Sequence, residues 1–325
     1  MRGKVRIVVY VLLAVALAAA ALWLLGPRPV ADTAITFQSA SLPEDLDTYL
    51  SEKESAFADI RAENGKQIVW AYPNSRARTP LAIIYVHGFS ASPAEIRPVP
   101  DEVARRLGAN LFFTRLAGHG RTANAIANGS VNAWINDYAE AIAIGRRLGE
   151  KVVVMATSTG ASLATWAGLQ PELAENVAGY VFVSPNYGVQ APGSFLLTAP
   201  FAPALVKLII GERRGFKPHN ARQAENWTTE YPSSALIPMA QIVALAHDSE
   251  VERIDAPALF VFSPDDQVVR PDKTRQIVAR WGGATEIMEV SDSGDPSDHV
   301  IAGNILSPGT NDALIGKISS WAGSL

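Results

Sequence analysis

From residue 67 onward, short apolar runs rich in β-branched and aromatic residues recur at 67–71, 81–86, 109–116, 151–155, 179–183, 257–262 and 285–290. Stretches of helical spacing at 98–107, 131–148 and 162–169 fall between them. Strands apolar on both faces need cover on both faces, and parallel neighbours need a crossover long enough to carry a helix. The alternation therefore predicts an α/β fold, a mostly parallel sheet flanked by helices. One interval breaks the rhythm. Between about 185 and 255 the sequence offers helical material at 195–210 and 233–247 but no convincing strand, and it is expected to stand above the sheet as an insertion.

Composition narrows the class. The 325 residues are 48% hydrophobic and 18% charged, too apolar for a disordered chain and long enough to bury a large core. Length alone suggests about two domains, yet one enlarged α/β domain fits equally. There is no cysteine, which removes disulfide scaffolds and Cys-ligated zinc or iron–sulfur sites. Arg2, Lys4, Arg6 and Arg28 lie in the first thirty residues with no acid among them, so the remainder is more acidic than the net charge of −4. An acidic body without a basic stripe argues against a nucleic-acid partner.

Residues 7–25 (IVVYVLLAVALAAAALWLL) carry no charge, and at about 1.5 Å per residue such a helix nearly matches the roughly 30 Å hydrocarbon layer. Basic residues precede it, and Asp32, Glu44, Asp45 and Asp47 follow it. The positive-inside bias then predicts residues 1–26 as a cytoplasmic basic tail and transmembrane anchor, with the body extracytoplasmic, periplasmic if the source is bacterial. A cleaved signal peptide followed by secretion is the competing reading, but this run exceeds the usual apolar length and ends in bulky Trp23-Leu24-Leu25. Residues 27–65 read as linker and a short amphipathic helix within 42–62, and 66–325 as the α/β body with its cap.

Residues 151–160 read KVVVMATSTG: an apolar strand, a run of small residues, and then helix-forming 161–164. This is the strand–elbow–helix context in which a strained serine, here Ser158, is presented as a nucleophile. Positions two before and two after it pass close to neighbouring backbone, and they are the small Ala156 and Gly160. A serine hydroxyl needs a base, and that base needs a carboxylate to hold its tautomer. Residues 257–270 (PALFVFSPDDQVVR) end a strand in two acids, and 285–301 (TEIMEVSDSGDPSDHVI) end another in a loop carrying His299. Serine, acid and histidine thus follow one another at successive strand C-termini, where ligands bind in open α/β sheets. Asp266 is preferred over Asp265 as the acid because Asp-x-Val-Val with a nearby Pro has the form of such loops. Residues 81–93 (LAIIYVHGFSASP) supply the other loop. The backbone N–H groups of Phe89 and Thr159 are the expected oxyanion donors, and His87 is read as a packing residue that braces the loop.

With these motifs in view, the chain from about Gln67 resembles the α/β-hydrolase superfamily. Within it, the resemblance is to the monoacylglycerol lipase, lysophospholipase and bacterial carboxylesterase group (serine aminopeptidase S33-like). The resemblance rests on HGFSASP at 87–93, RLAGHGRT at 115–122, ATSTG at 156–160, SPDDQVV at 263–269 and SDHVI at 297–301. Leu-Ala-Gly-His-Gly stands where relatives have a Pro-Gly-His-Gly loop, and Trp134 with Asp137 resembles their W-x-x-D pattern. The resemblance implies a serine esterase or lipase acting on a small-molecule or lipid ester, with no metal or organic cofactor, and a helical cap at about 185–255. Peptidase and thioesterase readings share the fold, and a membrane-tethered, non-catalytic binding protein is the alternative from another class. An aspartate nucleophile is disfavoured because serine occupies the elbow.

Other clusters have plainer readings. Asp292, Asp295 and Asp298 lack the EF-hand ligand pattern and read as a solvated acidic loop. His219 and His247 read as surface or packing residues, and Arg213, Arg214, Lys217 and Arg222 as a solvated basic face. The aliphatic 195–210 stretch fits an acyl tunnel, a bilayer contact or cap packing.

Overall fold

The computed structural model describes residues 2–325. Helix α1 (Arg2–Leu25) leaves its large apolar side chains from Val5 to Leu25 exposed. Among the described residues it is the one helix long and apolar enough to cross a membrane, with a mean hydropathy of 2.7 over its most apolar window.

Residues 27–37, expected as linker, run extended along the body. Ala31, Thr33, Ile35 and Phe37 turn inward while Val30, Asp32, Ala34 and Thr36 stay exposed, the two-residue period of an extended backbone. Asn136 Oδ1 accepts the Thr36 and Phe37 N–H groups, both at 2.7 Å, and the Ala34 carbonyl accepts from the Asn132 and Asn136 amides at 2.8 and 3.1 Å. The following helix α2 (Leu46–Ser55) is shorter than the 42–62 stretch of apolar spacing. Asp45 caps it by accepting the Asp47 and Thr48 N–H groups, and Leu46 and Leu50 are its buried face.

The body then alternates as expected. Strands β1 (Gln67–Val69) and β2 (Thr79–Val86) are followed by α3 (Val99–Leu107), β3 (Asn110–Phe113), α4 (Val131–Leu148), β4 (Gly149–Thr157), α5 (Thr159–Ala167), the single turn α6 (Pro171–Ala174) and β5 (Val177–Val183). An excursion carries α7 (Ala202–Ile209), β6 (Arg213–Gly215), α8 (Ala221–Asn226), β7 (Glu230–Pro232) and α9 (Leu236–His247). The chain returns through β8 (Ala258–Phe262), α10 (Pro271–Arg280), β9 (Thr285–Glu289) and α11 (Asn311–Ala322).

The seven-stranded sheet has the order β1-β3-β2-β4-β5-β8-β9, antiparallel at β1 and parallel elsewhere. Its strands alternate between two buried layers, as two-sided cover requires. Ile84, Val154, Phe182 and Phe260 join one core with α4, α5 and α9, whereas Ile83, Val153, Val181 and Leu259 join the other with α3 and α11. The β6–β7 pair within the excursion is antiparallel and was not foreseen. Its strands are three residues each and mostly polar, so they leave no apolar alternation to read.

Candidate active site

The carboxyl ends of β2, β4, β8 and β9 meet beneath the excursion, and each contributes one loop. At the end of β4 the chain bends through Ser158, at φ 51° and ψ −119°, a region that side-chain-bearing residues rarely occupy. The Ser158 N–H donates to the Val183 carbonyl at 3.0 Å, and its own carbonyl accepts from Ala161 and Asn186 at 3.0 and 3.1 Å. A Cβ on Gly160 would lie 2.4 Å from the Val86 carbonyl oxygen and 2.5 Å from that of His87, so α5 reaches β2 this closely only with glycine there.

His299 Nε2 lies 3.1 Å from Ser158 Oγ, and its Nδ1 lies 2.7 Å from Asp266 Oδ2. The other Asp266 oxygen accepts the Val268 and Val269 N–H groups, both at 2.8 Å, which aims the carboxylate. Asp265 is exposed, whereas Asp266 is buried. Burial by itself depresses the His299 pKa, but the charge and hydrogen bond of Asp266, with Asp295 and Glu95 contributing, outweigh it and hold the imidazole above its ordinary range. This arrangement can pass the serine proton to an imidazole whose tautomer is fixed from behind.

The β2 loop faces the nucleophile. Among the described residues neither the Phe89 nor the Thr159 N–H has an acceptor within the protein, Thr159 because it opens α5. The Phe89 ring is wedged edge-on against Tyr231 and His119, with centroids 5.4 and 5.6 Å away. His87 Nε2 accepts the Leu116 N–H at 3.0 Å while its Nδ1 meets the Gly88 carbonyl at 2.8 Å. Burial, with smaller contributions from His119 and Arg115, pushes its pKa well below the usual imidazole range, and burial takes His119 down to about 4. Both histidines are neutral braces.

Sequence reading passed over Glu95 and Asn186 at this site. Its reading of Asp295 as part of a solvated acidic loop is corrected, since Asp295 is buried and satisfied by its own loop. Glu95 is buried, and its Oε1 accepts both the Tyr85 hydroxyl at 2.6 Å and the Gly88 N–H at 2.7 Å. Its Oε2 and the Ser158 Cβ flank the same side of Gly88, and burial raises its pKa to about 7. Asn186 donates to Thr159 Oγ1 at 3.3 Å. Asp295 accepts the His299 N–H at 3.1 Å, the Val300 N–H at 2.9 Å and the Ser297 hydroxyl at 2.7 Å. Those bonds outweigh burial and lower its pKa. An acid set between Ala94 and Ile96, in a turn of otherwise small and apolar residues, was the available signal for Glu95.

Trp134 and Asp137 acquire a joint explanation. The Trp134 indole donates to the Ala117 carbonyl at 3.0 Å, and Asp137 Oδ2 accepts the Ala117 N–H at 2.7 Å. Asp137 also pairs with Lys66 at 3.1 Å, and Lys66, its side chain 5% exposed, reaches Glu140 as well.

Above the elbow, an apolar cavity of about 180 Å³ is lined by Leu197, Leu205, Val206, Ile209, Ile210 and Met239, with Arg214 on its wall. The Met239 sulfur lies 3.8 Å from the Asn186 amide, which donates to Thr159 Oγ1, so Asn186 stands between the cavity wall and the elbow; none of Ser158, Thr159 and His299 lines this cavity. A wider cleft of about 730 Å³ near Lys66, Arg97 and Asn304 contains none of Ser158, Asp266 and His299. Asp298 accepts from the Ser293 hydroxyl at 2.9 Å, so with Asp295 it builds the turn that precedes His299. Of the basic cluster, Arg213 pairs with Glu230 and Arg222 with Glu63, and His219 is exposed.

A mostly parallel sheet that offers a serine on a strand-to-helix elbow to a histidine from the loop after its last strand defines the α/β-hydrolase architecture. Residues 83–302 match the Alpha/beta hydrolase family, and the chain belongs to it. Over 192 residues it is 23% identical to the thermostable monoacylglycerol lipase of Bacillus sp. (strain H-257), covering 59% of this chain and 73% of that protein. A solved structure from the metagenome-derived lipolytic enzymes LipS and LipT superposes with a TM-score of 0.66 at 20% identity, covering 82% of this chain and 100% of the other. The monoacylglycerol lipase of Paleococcus ferrophilus gives 0.58 at 17% identity, covering 80% and 98%. These two likenesses are of fold.

Proposed function

We propose that the protein is a membrane-anchored serine hydrolase that cleaves carboxylic esters of medium or long acyl chains, monoacylglycerols and lysophospholipids among them. The observation that carries this reading is the unbroken hydrogen-bonded chain from Ser158 Oγ through His299 to Asp266 at the elbow. Ser158 attacks the ester carbonyl as His299 Nε2 takes its proton, and Asp266 steadies the imidazolium. The Phe89 and Thr159 N–H groups receive the tetrahedral oxyanion, each worth about 3 kcal/mol. His299 then protonates the leaving alcohol. Water, deprotonated by the same imidazole, attacks the acyl-serine and releases the carboxylic acid.

The apolar cavity walled by Met239, whose sulfur neighbours Asn186, supports an acyl chain rather than a peptide, and similarity to a monoacylglycerol lipase points the same way. The length and apolarity of α1, with basic residues before it and acidic residues after it, support an N-terminus inside and a body outside the cytoplasm. A fluorophosphonate probe should label the wild-type chain and not Ser158→Ala; no labelling of the folded wild type refutes the reading. Rates on p-nitrophenyl esters of increasing chain length should exceed those on peptide amides.

A further inference from the structure

We propose that the face formed by Phe195, Phe201, Leu208 and Ile209 rests on the lipid bilayer that α1 crosses, holding the body in one attitude with the apolar cavity against the membrane. The inference depends on the anchor reading of α1 given above.

Its first support is the junction. The last turn of α1 is pressed onto the excursion: the Trp23 ring lies 6.3 Å from that of Phe195, and the Phe201 N–H donates to the Pro27 carbonyl at 2.8 Å. Arg28 donates to the Thr198 carbonyl at 3.3 Å and to that of Trp23 at 3.2 Å, which ties the helix end to the excursion through one guanidinium. A tryptophan in the last turn of a span belongs at the membrane–water interface, and residues packed against it share its depth. The strap over residues 27–37, held by Asn132 and Asn136, leaves no slack that would let the body swing away.

Its second support is the face itself. Leu208 is 81% exposed and Ile209 60%, on the outer side of α7, which starts directly after Phe201. Single exposed apolar residues are ordinary, but a group continuous with an apolar spanning helix marks the surface that lipid covers. Arg28 borders it, suited to phosphate headgroups. Because Leu205, Ile209 and Ile210 also line the cavity, a chain leaving the bilayer along α7 would enter it and reach Met239, the neighbour of Asn186.

The native chain has no cysteine, so single-cysteine variants report cleanly. Full-length Leu208→Cys and Glu150→Cys, the latter exposed at the opposite end of β4 from Ser158, are labelled with an NBD maleimide. They are then reconstituted in phosphatidylcholine–phosphatidylglycerol vesicles with and without doxyl-labelled lipid. The Leu208 label should be blue-shifted and quenched several-fold more than the Glu150 label. Equal, weak quenching at both positions in protein that resists carbonate extraction overturns the orientation while leaving the anchor intact. Release by carbonate overturns both. A blue shift at Leu208 without lipid quenching signals a second copy on this face and also overturns the proposal.

Discussion

Glu95 accepts the Gly88 backbone N–H on the same oxygen that holds the Tyr85 hydroxyl, so one buried acid fixes the peptide that leads into Phe89. Its charge is felt by His299, which Asp266 and Asp295 also face, while Tyr85 is the other titratable group against it. On the proposed mechanism His299 acts as a base only when neutral, so activity falls as pH drops through its raised pKa. Glu95→Gln keeps an acceptor oxygen but removes the charge. The acid limb of kcat/KM should move to lower pH, with a reduced plateau. A limb that stays in place in the pH–rate profile refutes the coupling.

The same substitution should act oppositely on stability. Glu95 ionises at about 7 when folded, against an ordinary 4.5. Between those values the folded protein keeps a proton that the unfolded chain has released, so stability declines as pH rises through the window, by about 3 kcal/mol in all. Glu95→Gln removes that slope. Urea unfolding at pH 5 and pH 8 should show the variant gaining on wild type as pH rises.

Asp266 and Asp265 are adjacent in sequence and opposite in surroundings. Asp266→Asn should lower kcat by about 10³–10⁴-fold, because the imidazole is left in the wrong tautomer. Asp265→Asn, on an exposed side chain, should stay close to wild type. Steady-state kinetics on one ester decides, and the assignment fails if only Asp265→Asn is inactive.

Asp295 gathers the backbone of the His299 loop. Asp295→Ala leaves the His299 and Val300 N–H groups without their acceptor, and should cost about 1–3 kcal/mol in urea unfolding. Since His299 is thereby loosened, kcat should fall more than KM rises.

Lys66 lies between Asp137 and Glu140, with Lys53 reaching Glu140 from the exposed side. Lys66→Met leaves the two carboxylates facing each other with little solvent, and should destabilise by about 3–5 kcal/mol. Thermal unfolding should shift accordingly.

The sheet was legible because its strands carry two-sided apolar runs, and Ser158 and His299 because the elbow and the final loop leave local signatures. Glu95 was not legible. Its role comes from Gly88 and Tyr85 being folded back around it, and no spacing in the sequence records that. The β6–β7 pair escaped notice because three-residue polar strands have no period. Residues 27–37 read as linker because only Ile35 and Phe37 of their inward positions are large and apolar, too few to mark a period, and the asparagines that hold them lie a hundred positions away on α4.

Trp134 and Asp137 grip both polar groups of the Ala117 backbone. A proline ring restricts the chain whether folded or not, whereas this grip exists only once α4 has packed. The loop beneath Phe89 therefore takes its shape from a tertiary contact, and the reacting centre depends on α4, a helix that supplies none of its reacting groups.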